Sequence, residues 1–341
     1  FNWKYDGKGY GALGGQKRFV SDSISSSATF SEAGETEISL YLPTNASITE
    51  AQIDLTGLPY GSGELDEYLL ASVNTNEGSR SYEASLSMFG DDYYTLWMDD
   101  GDLDTMVRLD DNLIFRSYTS DNWNDEILIK DTIDNEQLLS PTVSATENIV
   151  VALWIKDVGS ESFEMTYSSD NGQNWEANTD INLATDHYIL YDMDMIVDSS
   201  DDIHVVWSSL ETSSTEEDYQ IFYSKSTDNG NTWTSEIMLS ESDSSSSISP
   251  KIDHDDGKIH VAWEEFDDVN GYYQTQYSMS NNNGDSFSSS DKLSSSNSVL
   301  DVTVTASGDD VLVGWAESDS SSSQINVKSR SSSNSGSSFN L

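Results

Sequence analysis

The chain has 341 residues, 15 Lys and Arg against 61 Asp and Glu, a formal net charge of −46, and no cysteine. Disulfides, thiolate metal sites and thiol catalysis are therefore excluded, and no apolar run is long enough for a membrane-spanning helix. So acidic a surface repels phosphate backbones and anionic lipid, so neither a nucleic-acid partner nor membrane insertion is expected.

The 9 Trp, 17 Tyr and 10 Phe are too many aromatics for a solvated, unfolded acidic chain. Two folded readings of the charge stay open: a salt-adapted surface and a calcium-loaded extracellular protein. Acids spread along the whole chain favour the first.

The opening "FNWKYDGKGYGALGGQKRFV" shows no secretion leader, as expected of a processed mature form or of a cytoplasmic protein. It is Gly-rich and holds four basic residues, Lys4, Lys8, Lys17 and Arg18. Such an arm can dock on an acidic neighbouring subunit or remain a loosely ordered terminus. "TEISLYLP" and "ASITEAQIDLTGLP" then alternate polar and apolar residues, predicting two strands around "TNAS". Two strands bury too little to stand alone. Residues 1–64 are therefore expected to form an N-terminal arm and strand pair that makes subunit contacts.

From about residue 65 the chain is periodic. Short apolar strands end at Trp97, Trp154, Trp207, Trp263 and Trp315, at intervals of 57, 53, 56 and 52 residues. A strand containing Pro141 or Pro250 precedes two of them by thirteen positions. A third strand such as "YQIFYS" follows, then a polar turn, then a fourth strand such as "SEIMLS". Four antiparallel strands per period of about fifty residues predict an all-β, five-bladed β-propeller over residues 65–341. The fifth period stops at "SFNL", whereas "DEYLLAS" (66–72) resembles the fourth strands "DEILIKD" and "SEIMLSE". Strand 66–72 is therefore expected to complete the last blade and close the ring.

The polar turn recurs as "SSDNGQNW" (168–175), "STDNGNTW" (226–233), "SNNNGDSF" (280–287) and "SSNSGSSF" (332–339). Its Gly suits positive φ, its Asp or Asn can bond nearby backbone N–H groups, and its aromatic can be buried beneath it. "TSDNWNDEI" (119–127) is a shortened copy without the Gly. The pattern resembles the Asp-box, or bacterial neuraminidase repeat, of sialidase-like propellers. The resemblance covers about residues 66–341. It implies peripheral, structural roles for Asp170, Asp228, Asn282 and Asn334.

Sialidases of that family hold a substrate carboxylate with three arginines from different blades. The arginines here are Arg18, Arg80, Arg108, Arg116 and Arg330, with none between residues 117 and 329, so sialidase activity is rejected. Five-bladed propellers also include glycosidases with carboxylates on inner strands. Asp194, Asp253 and Asp301 are the corresponding candidates, on a chain where scattered inner-strand acids are expected without catalysis. In "DDGDLD", Asp99, Asp100, Asp102 and Asp104 offer oxygen ligands at calcium-like density but depart from the helix–loop–helix calcium pattern, and a solvated turn explains them better. His204 and His260 share one position of the "IHVxW" strand, which a repeated packing role explains better than a metal does.

The resulting expectation is an extracellular or cell-surface protein for binding or assembly, an adhesion, surface-layer or appendage subunit. Its partners would be other subunits or surface glycans. No cofactor is required, and calcium is the one candidate. The rival is a glycoside hydrolase acting on a neutral polysaccharide.

Overall fold

The computed structural model describes residues 80–340 apart from 101–110, 121, 133–135, 159–160, 182, 184–186, 212–217, 241–244, 295–297 and 320–323, together with 11–13, 16–18, 25–28 and 38–41. The chain divides into two compact units, Phe1–Leu70 and Ala71–Leu341. In the first, β1 (Gly11–Leu13) pairs with β2 (Gln16–Arg18), and β3 (Ser25–Ala28) with β4 (Ile38–Tyr41), both antiparallel. Strand β4 falls inside "TEISLYLP", as the alternation predicts. Its partner, however, is the Ser-rich β3, and the second predicted strand lies outside the described residues.

The second unit is all antiparallel sheet, with no helix among the described residues. The first sheet holds β5 (Arg80–Phe89), β6 (Asp92–Asp100), β7 (Asp111–Thr119) and β8 (Asn122–Trp123), and β9 (Ile127–Lys130) also pairs with β7. The second holds β10 (Gln137–Ala145), β11 (Val150–Asp157), β12 (Glu161–Ser168) and β13 (Thr179–Ile181). The third holds β14 (His187–Val197), β15 (Ile203–Glu211), β16 (Tyr219–Ser226) and β17 (Ile237–Met238). The fourth holds β18 (Ser247–Asp255), β19 (Lys258–Asp267), β20 (Tyr272–Ser280) and β21 (Asp291–Lys292). In the fifth, β22 (Ser298–Ser307), β23 (Asp310–Asp319) and β24 (Gln324–Ser332) are seen.

The first strand of each sheet meets the first strand of the next, in the order β5, β10, β14, β18, β22. No comparable contact joins β22 to β5 among the described residues, and 66–72, expected to close a ring, lies outside them. The second strands β6, β11, β15 and β19 are apolar runs covered on both faces, whereas β23 alternates and leaves Leu312 exposed. The Trp of each of β11, β15, β19 and β23 reaches into the core shared with the preceding sheet. Trp154 packs with Leu96 and Phe115, Trp207 with Leu153 and Phe163, Trp263 with Val206 and Tyr223, and Trp315 with Ala262 and Tyr277. All four are at least 95% buried, and each such ring contributes several kcal/mol, roughly 3–5 by truncation to Ala. The indole N–H of Trp154 donates to Glu164 Oε2 at 3.1 Å and that of Trp315 to Glu317 Oε2 at 3.2 Å.

The polar turns are joints between sheets. In the turn 226–233, Ser226 Oγ accepts the Gly230 N–H at 2.9 Å and donates to Asp228 Oδ1 at 2.9 Å. Asp228 then accepts the Thr232 N–H and hydroxyl, each at 2.7 Å, and the Trp233 indole donates to the Gly230 carbonyl at 3.0 Å. The copy at 168–175 repeats this pattern, and at 280–287 and 332–339 Asn282 and Asn334 take the Asp role. The closing aromatic is not simply tucked under its own turn. It packs edge-on against a ring on the third strand of the preceding sheet: Trp175 on Phe115, Phe287 on Tyr223 and Phe339 on Tyr277, at 4.7, 4.7 and 4.8 Å between centroids. Met165 fills that place beside Gly230. His204 and His260 are fully buried and sit 2.7 Å through Nδ1 from the hydroxyls of Tyr223 and Tyr277, so the repeated packing role expected of them is seen.

Candidate functional site

The strands β5, β10, β14 and β18 line an open, mainly polar cavity of about 330 Å³. Its wall includes Asp194, Asp253, His254 and the exposed apolar side chains Leu86 and Met88. Two of the three carboxylates singled out from sequence therefore reach one cavity. Asp301, on β22, is exposed and is not part of its wall.

The geometry of these acids follows from the open edge of an innermost strand. Its outward N–H groups have no strand to pair with, and a buried unpaired N–H is costly. Here polar side chains on the preceding inner strand supply the acceptors. Glu83 accepts from the Ser140 N–H, Ser85 from Val143 and Ser87 from Ala145, each at 3.1 Å. Ser144 Oγ accepts from Val197 at 2.9 Å. Asp194 Oδ2 accepts from Ile252 at 3.1 Å and Asp253 Oδ2 from Ala306 at 2.8 Å. The second oxygen of each Asp takes the N–H of its own successor, Met195 at 3.0 Å and His254 at 2.8 Å. Burial pushes the Asp194 carboxyl up, against the pull of Lys251 and the two N–H groups.

Each inner strand also carries a β-bulge near its start, at Tyr82/Ser85, Leu139/Thr142, Ile189/Met193, Ile248/Lys251 and Val299/Asp301. In β10 and β18 the bulge holds Ser140–Pro141 and Ser249–Pro250, where Pro has no N–H to give the ladder and the Ser takes φ of 49° and 54°. The bulge of β18 aims the Ser249 N–H and hydroxyl at Asp192 Oδ2, at 3.2 and 3.4 Å. Ser249 also bonds to Glu264, the residue after Trp263. Burial first, then the charges of Asp301 and Asp192, push the Glu264 carboxyl up to about 7. Tyr273 is raised by burial and by Glu264 in turn.

Glu264 is thus a buried carboxyl that feels the charges of Asp192 and Asp301 from two other sheets, and apart from Asp301 the sequence reading missed it. A signal was present. The position after the strand-ending Trp is Met98, Ile155, Ser208 and Ala316 in the other periods, so a Glu there, 5% exposed, departs from the repeat. A buried carboxyl whose proton is held to near neutral pH is the kind of group that can act as an acid.

Of the residues expected to bind calcium, Asp99 and Asp100 lie on β6. Asp99 is buried near the end of β6, Asp100 closes that strand, and Asp102 and Asp104 lie outside the described residues. Of the arginines, Arg116 sits on β7 with Nε donating to the Asn124 carbonyl at 2.8 Å and its guanidinium 5.5 Å over the Trp123 ring, and Arg330 lies on β24.

No family model and no curated protein matches this sequence. Solved structures do match in fold. One is a protein of unknown function from Dyadobacter fermentans DSM 18053, with TM-score 0.55 and 11% identity over 76% of this chain and 80% of that one. Another is the polysaccharide lyase Uly1, with TM-score 0.54 and 11% identity over 88% and 69%. A third is the Hadza microbial sialidase Hz136, with TM-score 0.52 and 9% identity over 76% of this chain and 57% of that one. These structures share its all-β fold of four-stranded antiparallel sheets. At these identities the likeness concerns fold alone.

Proposed function

We propose that this chain is a non-catalytic binding and assembly protein of the extracellular space or cell surface, built as a five-bladed propeller whose peripheral turns are Asp-boxes. Its ligand class is neutral glycan. The observation that carries this reading is the use made of Asp194 and Asp253. Each holds one oxygen on an N–H of the next inner strand and the other on its own strand, so both act as joints of the cavity wall. The mainly polar cavity wall suits sugar hydroxyls, and the net charge of −46 turns away anionic sugars. The fold neighbours named for a sialidase and a polysaccharide lyase support a carbohydrate-related role. The acidic chain and its few arginines speak against sialic acid as substrate.

In this reading residues 65–341 form the propeller, closed by strand 66–72, and residues 1–64 make subunit contacts through the arm around Lys4, Lys8, Lys17 and Arg18. A chain beginning at Glu64 should keep its melting transition and lose assembly by light scattering at high salt. Assembly of the shortened chain would move the interface onto the blades.

The glycosidase reading rests on Glu264, held near neutrality beside Asp192 and Asp301. One experiment separates the two. In gels cast with neutral polysaccharide, the protein should be retarded without releasing reducing sugar. Sugar release that Glu264→Gln abolishes would establish the hydrolase instead.

A further inference from the structure

The turn between β14 and β15 gathers Asp198, Asp202 and His204, whose donor atoms all lie within 4.8 Å of one another. Asp198 and His204 are buried, and Asp202 is half-buried. Each has an outer partner. His204 Nδ1 lies 2.7 Å from the Tyr223 hydroxyl. Asp198 Oδ1 accepts the N–H groups of Ser200 at 2.8 Å and Asp202 at 3.0 Å. Asp202 Oδ2 accepts from the Asn283 amide at 2.9 Å, across to the polar turn of the next sheet.

The inner ends remain. His204 Nε2 is fully buried, lacks a well-aligned hydrogen bond, and faces Asp198 Oδ2 at 3.4 Å as its one charged neighbour at that distance. That separation is long for an N–H···O bond, which falls near 2.7–3.2 Å. It matches the roughly 3.3 Å between two donors that share a tetrahedral ion with bonds of about 2.0–2.1 Å. Outer partners that fix the orientation of an imidazole and two carboxylates are the usual companions of a metal site.

We propose that Asp198, Asp202 and His204 bind one divalent transition-metal ion of the zinc class. An imidazole in the set disfavours calcium and magnesium, which take oxygen ligands. Three protein ligands leave a fourth position for water. Through Asp202 and Asn283 the ion ties the β14–β15 turn to the neighbouring sheet, so its role is a cross-link between sheets. The repeat supplies its own control. His260 has the same Tyr contact and a buried, unpartnered Nε2. There, however, Lys258 stands in place of Asp202, Asp255, the counterpart of Asp198, accepts the Gly308 N–H, and no three-ligand group forms among the described residues.

The test is titration of chelator-stripped full-length protein with zinc chloride, by calorimetry and thermal melting. About 1 M NaCl screens ion binding by the acidic surface. One zinc per chain is expected, with a higher melting temperature. Asp202→Asn keeps the carbonyl that receives Asn283 and should weaken zinc binding at least about 10-fold, the scale of loss for disturbing a metal site. His260→Gln should leave one ion bound. Absence of stoichiometric zinc binding in the wild-type protein overturns the proposal, as does unchanged affinity in folded Asp202→Asn. If His204→Gln folds and still binds one zinc with full affinity, the imidazole is not a ligand and the proposal fails.

Discussion

The hydroxyl of Tyr223, on the third sheet, occupies the space that a β-carbon on Gly284, in the fourth, would need. The same hydroxyl is 2.7 Å from His204 Nδ1, and the Phe287 ring lies against the Tyr223 ring. Gly284 also takes φ of 78°. The glycine of the turn is thus required by its neighbour as well as by its own backbone. Gly284→Ala should cost about 2–5 kcal/mol, combining left-handed backbone strain with overpacking. Gly90 has φ of 60° with open space around it, so Gly90→Ala should cost only the backbone part, about 1–2 kcal/mol. Equal losses in urea unfolding would remove the inter-sheet contact from the account.

Ser226 is the buried member of its turn, with the Gly230 N–H on its hydroxyl. Ser226→Ala orphans that N–H and should destabilise by about 1–3 kcal/mol. Glycan binding by the remaining folded protein should be unchanged. Loss of binding at full stability would make the turn a recognition site.

Asp194 serves the Ile252 N–H with one carboxylate oxygen. Asparagine keeps an acceptor there and sheds a charge that burial disfavours. Because the other oxygen accepts the Met195 N–H, which an amide NH2 cannot serve, Asp194→Asn should lose less than Asp194→Ala, which should lose about 1–3 kcal/mol. Hydrogen exchange at the Ile252 amide is the local readout, accelerated only in the alanine variant. A catalytic Asp194 would show the opposite pattern, with sugar release abolished in Asp194→Asn.

Two pH windows follow from carboxyls shifted in opposite senses. Glu264 rises from 4.5 to about 7 in the folded protein, so the fold binds its proton more tightly than the unfolded chain does. Its contribution is complete below 4.5 and is lost as pH climbs through 7. Asp170, held down to about 2 by bonds from Asn174 and Ser168, contributes above 3.8 and loses that contribution as pH falls toward 2. Melting curves between pH 5 and 8 should flatten in Glu264→Gln. An unaltered slope would place the neutral titration elsewhere.

Self-repulsion at a net charge of −46 should make the protein least stable at low ionic strength. Melting temperature should climb alike with NaCl or KCl as the charges are screened. Full recovery in micromolar calcium at low salt would instead favour the calcium-loaded reading.

By itself, the sequence determined the periodic part of this protein. The Trp-ended apolar runs marked the second strand of each sheet, and the four Gly-containing turns fixed where third strands end. Local chemistry sufficed there because each feature repeats within a few residues. Only the tertiary structure decided what the inner-strand acids do. Whether Asp194 is a free carboxylate or a joint depends on the Ile252 N–H, 58 residues away, and on an open strand edge that no local pattern displays. Glu264 became a site for the same reason. Its carboxyl is raised by burial and by acids from two other sheets, and charges brought together by packing leave no mark on local spacing. His204 and His260 make the point within one strand motif, since Asp202 beside one and Lys258 beside the other set their surroundings apart.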